Sequence, residues 1–229
     1  MRTLGREFMK KLLFILALSM TTQQVHAGFT MEPFYDSMFS TSTKEKNAPS
    51  GTVESKFDNS GTVFGAKLYV NFKAQKGNMY AGLIGYLSET NWTLTEPTSL
   101  VDTQSDSGQG LKDKWWGKHA GIVIGTYYQA FDTWVAGLST EMRNRNVEGS
   151  FGKDDELRGT TIEVGVGMRL LSWLKLNATW RNHRISNYRD SSERRSYDLP
   201  EEDTKLMGDY DVKEYYLGVS MPLTIGKRK

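Results

Sequence analysis

The chain has 229 residues, 29 Lys and Arg against 27 Asp and Glu, and no cysteine. That length suits one barrel-sized domain. The missing cysteines exclude a disulfide scaffold and thiolate metal sites, and the near-balanced charge carries no footprint of a nucleic-acid binder. There is also no apolar run of about 18 residues, which excludes a helical membrane span.

The first element is a leader. Arg2, Arg6, Lys10 and Lys11 precede the short apolar stretch Leu12–Met20, and Val25-His26-Ala27 is a small-x-small cleavage site. Residues 1–27 therefore read as a secretory signal peptide cleaved near Ala27. Met9-Lys10-Lys11 would open such a leader by itself, so Met1 and Met9 both stand as starts. Removing residues 1–27 leaves 25 basic and 26 acidic residues, so the leader carries the basic excess.

Eight β-strands are predicted next: Phe29–Ser37, Thr62–Lys73, Met79–Ser88, Trp115–Gln129, Trp134–Arg143, Thr160–Leu171, Leu174–Arg184 and Val212–Leu223. Each is bounded by turn residues and shows two-residue alternation. The sixth is clearest: Ile162, Val164, Val166, Met168 and Leu170 alternate with Glu163, Gly165, Gly167 and Arg169. Successive strand side chains face opposite ways, so one face suits hydrocarbon and the other carries charge. The third strand is ambiguous, because Leu83 and Ile84 fall on opposite faces.

Connections alternate in length. Residues 38–61, 89–114, 144–159 and 185–211 are long and polar, whereas Ala74–Asn78, Ala130–Thr133 and Ser172-Trp173 are short. In an up-and-down barrel all the long connections then emerge at one end. The expected fold is all-β: an eight-stranded antiparallel up-and-down transmembrane β-barrel over residues 28–223, with four long extracellular loops and three short periplasmic turns. Residues 224–229 form a basic C-terminal tail.

The alternation also assigns faces. Phe64, Ala66, Leu68, Val70 and Phe72, then Ala120, Ile122 and Ile124, then Trp134, Ala136, Leu138, Thr140 and Met142 are expected to face outward. So are the Ile162 series, Leu174–Trp180 at even positions, and Tyr215–Leu223 at odd positions. The expected interior charge network is Lys67, Glu141, Arg143, Glu163, Arg169, Lys175 and Arg181, with Gly65, Gly121, Gly125, Gly137, Gly165, Gly167 and Gly218 making room for long side chains. A Lys or Arg on the lipid face costs about 2–4 kcal/mol near the midplane, so exposing Lys67, Arg169, Lys175 and Arg181 together would cost roughly 8–16 kcal/mol. That rivals a domain's whole stability, so the charged face points inward. An eight-stranded interior is only wide enough for its own side chains, and a paired plug is favoured over an ion pathway. Trp92, Trp115, Trp116, Tyr127, Tyr128, Trp134 and Trp173 are expected in interfacial aromatic girdles.

The final strand, Tyr216-Leu217-Gly218-Val219-Ser220-Met221-Pro222-Leu223, carries a more specific pattern: an aromatic, a glycine two later, then spaced hydrophobics. The chain resembles the small eight-stranded outer-membrane barrels of the OmpA-transmembrane-domain and OmpX type. The resemblance is architectural and covers nearly all of residues 28–223. It departs where such barrels end in an aromatic, since this chain runs on to Lys227-Arg228-Lys229. It implies a bacterial outer-membrane location, contact with outer-membrane lipid and lipopolysaccharide, and recognition of residues 216–223 by the barrel-insertion machinery.

Candidate chemistry is sparse. His183 and Ser186 resemble the paired His and Ser of outer-membrane lipid A deacylases, in which the two residues lie two apart. Here they are three apart and take opposite faces, which disfavours acyl transfer. Arg189, Arg194 and Arg195 are candidate lipopolysaccharide contacts, since guanidinium forks match phosphate geometry. The acidic runs Asp154-Asp155-Glu156 and Glu201-Glu202-Asp203 read as solvated loops, and no metal or cofactor is expected. The favoured role is structural or adhesive, through a surface ligand at the four loops. A lipid A-modifying hydrolase and a narrow pore are the rivals.

Overall fold

A computed structural model of the chain describes residues 28–46, 56–74, 77–96, 112–146, 151–192, 195–198 and 209–225. Residues 1–27, expected as a signal peptide, lie outside these residues. Ten strands are formed: β1 (Phe29–Lys46), β2 (Lys56–Ala74), β3 (Gly77–Glu96), β4 (Lys112–Tyr128), β5 (Phe131–Asn144), β6 (Glu156–Leu171), β7 (Leu174–Asp190), β8 (Arg195–Asp198), β9 (Asp209–Ser220) and β10 (Leu223–Ile225). Each of β1 to β7 pairs antiparallel with the next, β9 pairs with both β7 and β1, and so eight strands close a ring. Closure removes the exposed edges that an open sheet of such strands would present.

Two short strands decorate this ring. β8 folds back on the loop end of β7. β10 continues β9 along β1 after the interruption at Met221-Pro222, where the proline has no N–H to give a ladder. Met221 N donates instead to Pro33 O at 3.0 Å.

The strands outrun the alternation that predicted them. β3 extends to Glu96 and β7 to Asp190, well into the segments expected as loops. Above the hydrocarbon the outer face of a strand meets water, so backbone pairing continues while the outward apolar period stops, and the inner face stays buried at Trp92, Ile185 and Tyr188. From Lys118 to the turn-end Tyr128, ten residues of tilted strand rise about 26 Å, close to the apolar band of such barrels.

Outward residues in this band include Phe64, Leu68, Leu83, Leu87, Ile124, Val135, Ile162, Val164, Val166, Leu176, Leu217 and Val219, all exposed. The interior is mixed. Phe34, Val63, Ile84, Val123, Ala136 and Leu138 cluster with Tyr69, Tyr80, Tyr86, Trp134 and Tyr216. Leu83 is outward and Ile84 inward, which resolves the third strand.

β5 runs opposite to expectation. Trp134, Ala136, Leu138, Thr140 and Met142 face the interior, while Gly137 faces out into open space. Glu141 and Arg143 are therefore not interior charges; they stand on the outer wall near the loop end. Trp134 fits inside because Gly165 sits opposite it in the β5–β6 ladder. A Cβ on Gly165 would come within 2.0 Å of the indole.

Candidate functional site

The interior is built from two charge clusters at successive levels. Nearer the turn end, Glu32 on β1 accepts hydrogen bonds from Tyr69 Oη, Lys175 Nζ and Ser220 Oγ, each at 2.8 Å. Lys67 Nζ lies 3.8 Å from the same carboxylate and 3.3 Å from the Trp134 ring centroid. Lys175 also pairs with Asp132. Above this, Arg181 donates through Nε to Glu163 at 2.8 Å and through Nη2 to Asp36 at 2.6 Å. Its guanidinium lies between the rings of Tyr86 and Tyr216, 4.5 and 4.3 Å from their centroids. Glu163 takes a further bond from Trp134 Nε1 at 2.7 Å.

Every one of these groups is buried. A buried charge without a partner is strongly destabilising, and here each cation faces at least one carboxylate. Lys67, Glu163, Lys175 and Arg181 thus occupy the interior, and Arg169 lines a turn-end cavity with Asp132 and Lys175. That cavity has a volume of about 20 Å³, room for about one water.

A hydrogen-bonded chain runs around the wall above Arg181. Ser88 Oγ meets His119 Nε2 at 2.9 Å, and His119 Nδ1 meets Thr140 Oγ1 at 3.1 Å. Thr140 contacts Thr161, Thr161 Oγ1 meets His183 Nδ1 at 2.6 Å, and His183 Nε2 meets Glu214 at 2.7 Å. Tyr216 Oη donates to the same carboxylate at 2.7 Å. One direction of donation satisfies every link: Ser88 to His119, His119 to Thr140, Thr140 to Thr161, Thr161 to His183, His183 to Glu214.

These contacts decide the hydrolytic candidates. His183 is inside and Ser186 is exposed on the opposite face, so the two are not brought together. Ser88 and His119 do form a nucleophile–base pair. The second nitrogen of His119 meets a threonine instead of a carboxylate, Tyr86 stacks on its ring at 4.4 Å, and the barrel wall encloses both. Ser88 and His119 are 8% and 4% exposed.

The mouth at the loop end is capped. Phe151 is buried against Trp115, with centroids 5.1 Å apart, and Trp115 lies 5.4 Å from Trp92. Asp113 Oδ1 accepts from Asn144 Nδ2 and from Phe151 N, both at 3.1 Å. Asp155 accepts from Tyr188 Oη at 2.6 Å, Gly152 N at 2.8 Å and Ser191 N at 3.0 Å. Asp155 and Glu156 are therefore buried structural acids and not a solvated run.

Trp92, Trp115 and Trp134 are likewise interior, at 0%, 0% and 3% exposure, and do not belong to a girdle. Their indoles fill space that the glycines and charges leave open. Trp116, Tyr128 and Trp173 are exposed on the outer wall, joined by Phe131 and Tyr35, and Tyr127 is half-buried. Among the candidate lipopolysaccharide contacts, Arg189 stands on the outer wall, 3.8 Å from Glu156. Arg195 begins β8, and Arg194 lies outside the described residues.

Sequence reasoning missed Glu32, Asp36 and Asp132 as carboxylates of the two charge clusters, and His119 and Glu214 as members of the chain. A signal existed for Glu214, which shares parity with Gly218 on the last strand. Among the described residues no cluster of His, Asp and Glu is arranged to hold a metal ion.

No protein-family profile matches the chain, and no curated protein matches its sequence. Solved structures similar to it in shape include Ail, the attachment invasion locus protein of Yersinia pestis, in complex with the heparin analogue sucrose octasulfate. That match has 12% identity over 86% of this chain and 99% of the other, with a TM-score of 0.44. Neisserial surface protein A matches at 11% identity over 85% of this chain and 97% of the other, with a TM-score of 0.41. The outer membrane protein OprG from Pseudomonas aeruginosa matches at 10% identity over 86% and 95%, with a TM-score of 0.39.

Proposed function

We propose that this chain is a bacterial outer-membrane barrel that does not conduct and that acts by binding at its extracellular end. The filled interior is the observation that carries this reading. Arg181 bridges Glu163 and Asp36 across the bore, Lys175 bridges Glu32 and Asp132 beneath it, and the Phe151–Trp115–Trp92 stack closes the mouth. With the bore blocked at three levels, the surface left for a partner is the set of loops and strand extensions beyond the membrane. The outward apolar wall supports the membrane location, since exposing it to water would be unfavourable by about 25 cal/mol per Å². The last strand, with Leu217, Val219, Met221 and Leu223 outward and Tyr216 inward, offers the pattern through which insertion machinery would take up the protein.

The refolded chain is expected to give no unitary conductance steps in planar bilayers while migrating as a heat-modifiable folded band. Steady steps from folded protein would overturn the closed reading. Shortening the loops within 38–61, 89–114, 144–159 and 185–211 one at a time, scored for binding of whole cells to host surfaces and matrix glycans, locates the binding activity. Undiminished binding by all four variants would reject it.

A further inference from the structure

The outer wall of β4 to β7 carries a cluster that barrel closure does not require. The Glu156 carboxylate, itself nearly buried, is approached by Arg143 Nη2 at 3.9 Å, Arg189 Nη1 at 3.8 Å and Arg158 Nε in direct contact. Arg158 Nη2 also lies 4.0 Å from Glu141, and Lys118 stands opposite Glu141 in the β4–β5 ladder. The three arginines are 45–49% exposed. Four cations against two carboxylates leave two positive charges in excess. Three guanidinium groups and one ammonium offer about eighteen N–H donors, and two carboxylates offer about eight lone-pair positions. The donors therefore outnumber the acceptors that these carboxylates supply. The cluster spans the levels of Lys118 and Trp116 on β4, about 26–31 Å above the turn end, where strand meets headgroup.

Directly alongside, the same wall is hollow. Ala66, Gly85, Ala120 and Ser139 follow one another in register across β2 to β5. Phe64 and Leu87 border this row on one side, and Leu68, Leu83 and Ile122 on the other. The result is two adjoining shallow hollows of about 550 Å³ each that share Ala66, Gly85 and Ala120, the first with Lys118 and Glu141 in its rim. A lipid tail gains little by leaving other tails, so the hollows select by shape while the cations set the affinity.

We propose that this face is a lateral binding site for one phosphorylated lipid of the surrounding leaflet. Arg143, Arg158, Arg189 and Lys118 hold its phosphate, and one acyl chain lies along the Ala66–Gly85–Ala120–Ser139 row. The cations stand on β4 to β7, and loop variants that keep Glu156, Arg158 and Arg189 in place test the surface-binding reading apart from this one.

Native mass spectrometry of the refolded full chain in detergent tests it, by titration with bis-phosphorylated lipid A, with dephosphorylated lipid A and with inorganic phosphate. Lipid A is expected to remain bound, and removal of its phosphates to weaken binding about tenfold or more. The double variant R143Q/R158Q should lose about tenfold for lipid A while keeping heat-modifiable migration. A120L, which fills the hollows, should weaken lipid A a few-fold and leave inorganic phosphate unaffected. Equal binding of dephosphorylated lipid, unchanged binding by R143Q/R158Q or unchanged binding by A120L would overturn the proposal. Inorganic phosphate binding as tightly as the lipid would reduce the site to a free-anion site and overturn it as well.

Discussion

Arg181 shows how much one residue can hold together. Its guanidinium satisfies two carboxylates from β6 and β1 and fills the space between two tyrosine rings. Replacing it with Met keeps the bulk but leaves Glu163 and Asp36 facing each other without their cation. Breaking a buried pair this way costs about 3–5 kcal/mol. Arg181→Met should therefore lower the urea midpoint of refolded protein sharply, and adding Glu163→Gln should recover part of the loss. No recovery would mean that the guanidinium acts through packing alone. Arg181 and Glu163 were legible in the sequence because each sits in a strand whose opposite face is uniformly apolar. Glu32 and Asp36 were not. They alternate with Met31, Pro33, Tyr35 and Ser37, a series too mixed to mark which face meets lipid.

Among the strands, β5 is the instructive one. Both of its faces carry apolar residues, Trp134, Ala136 and Leu138 on one and Phe131 and Val135 on the other, so alternation alone does not choose between them. Glu141 and Arg143 suggested the wrong choice. They lie beyond the hydrocarbon, where an outward charge costs little, and charge at a strand end is therefore weaker testimony than charge at its middle. The cap over the mouth was illegible for a different reason. Its geometry depends on Asp113 on β4 meeting Asn144 and Phe151, contacts between residues far apart in sequence. Phe151→Ala should open this cap locally: amide hydrogen exchange should rise at residues 144–156 while the membrane-level strands stay protected. Faster exchange throughout β4 to β7 would show that the cap is part of the global fold.

Across the whole molecule, the chain from Ser88 to Glu214 links six of the eight ring strands through side chains alone. Thr161 is its middle link. Thr161→Val keeps the shape and strands two partners, the Thr140 hydroxyl and His183 Nδ1, away from water. The expected destabilisation is about 1–3 kcal/mol in urea unfolding, with Thr161→Ser restoring most of it. An unchanged midpoint for the valine variant would mean that the chain contributes no net stability.

The break at Met221-Pro222 has a bearing on how the ring shuts. The first and last strands meet along this joint, and the ladder skips Glu32 and Pro33 between its two halves. Side chains take over there: Glu32 receives Ser220 from the last strand and Lys175 from the one beside it. Zipping the joint thus completes the neutralisation of Glu32 that Lys67 and Tyr69 of β2 begin. A barrel left ajar would take Lys175 and Ser220 away from this carboxylate and weaken a buried charge cluster. Half-shut forms are correspondingly scarce, and the ring is expected to open and close as one cooperative unit, with this joint as its latch.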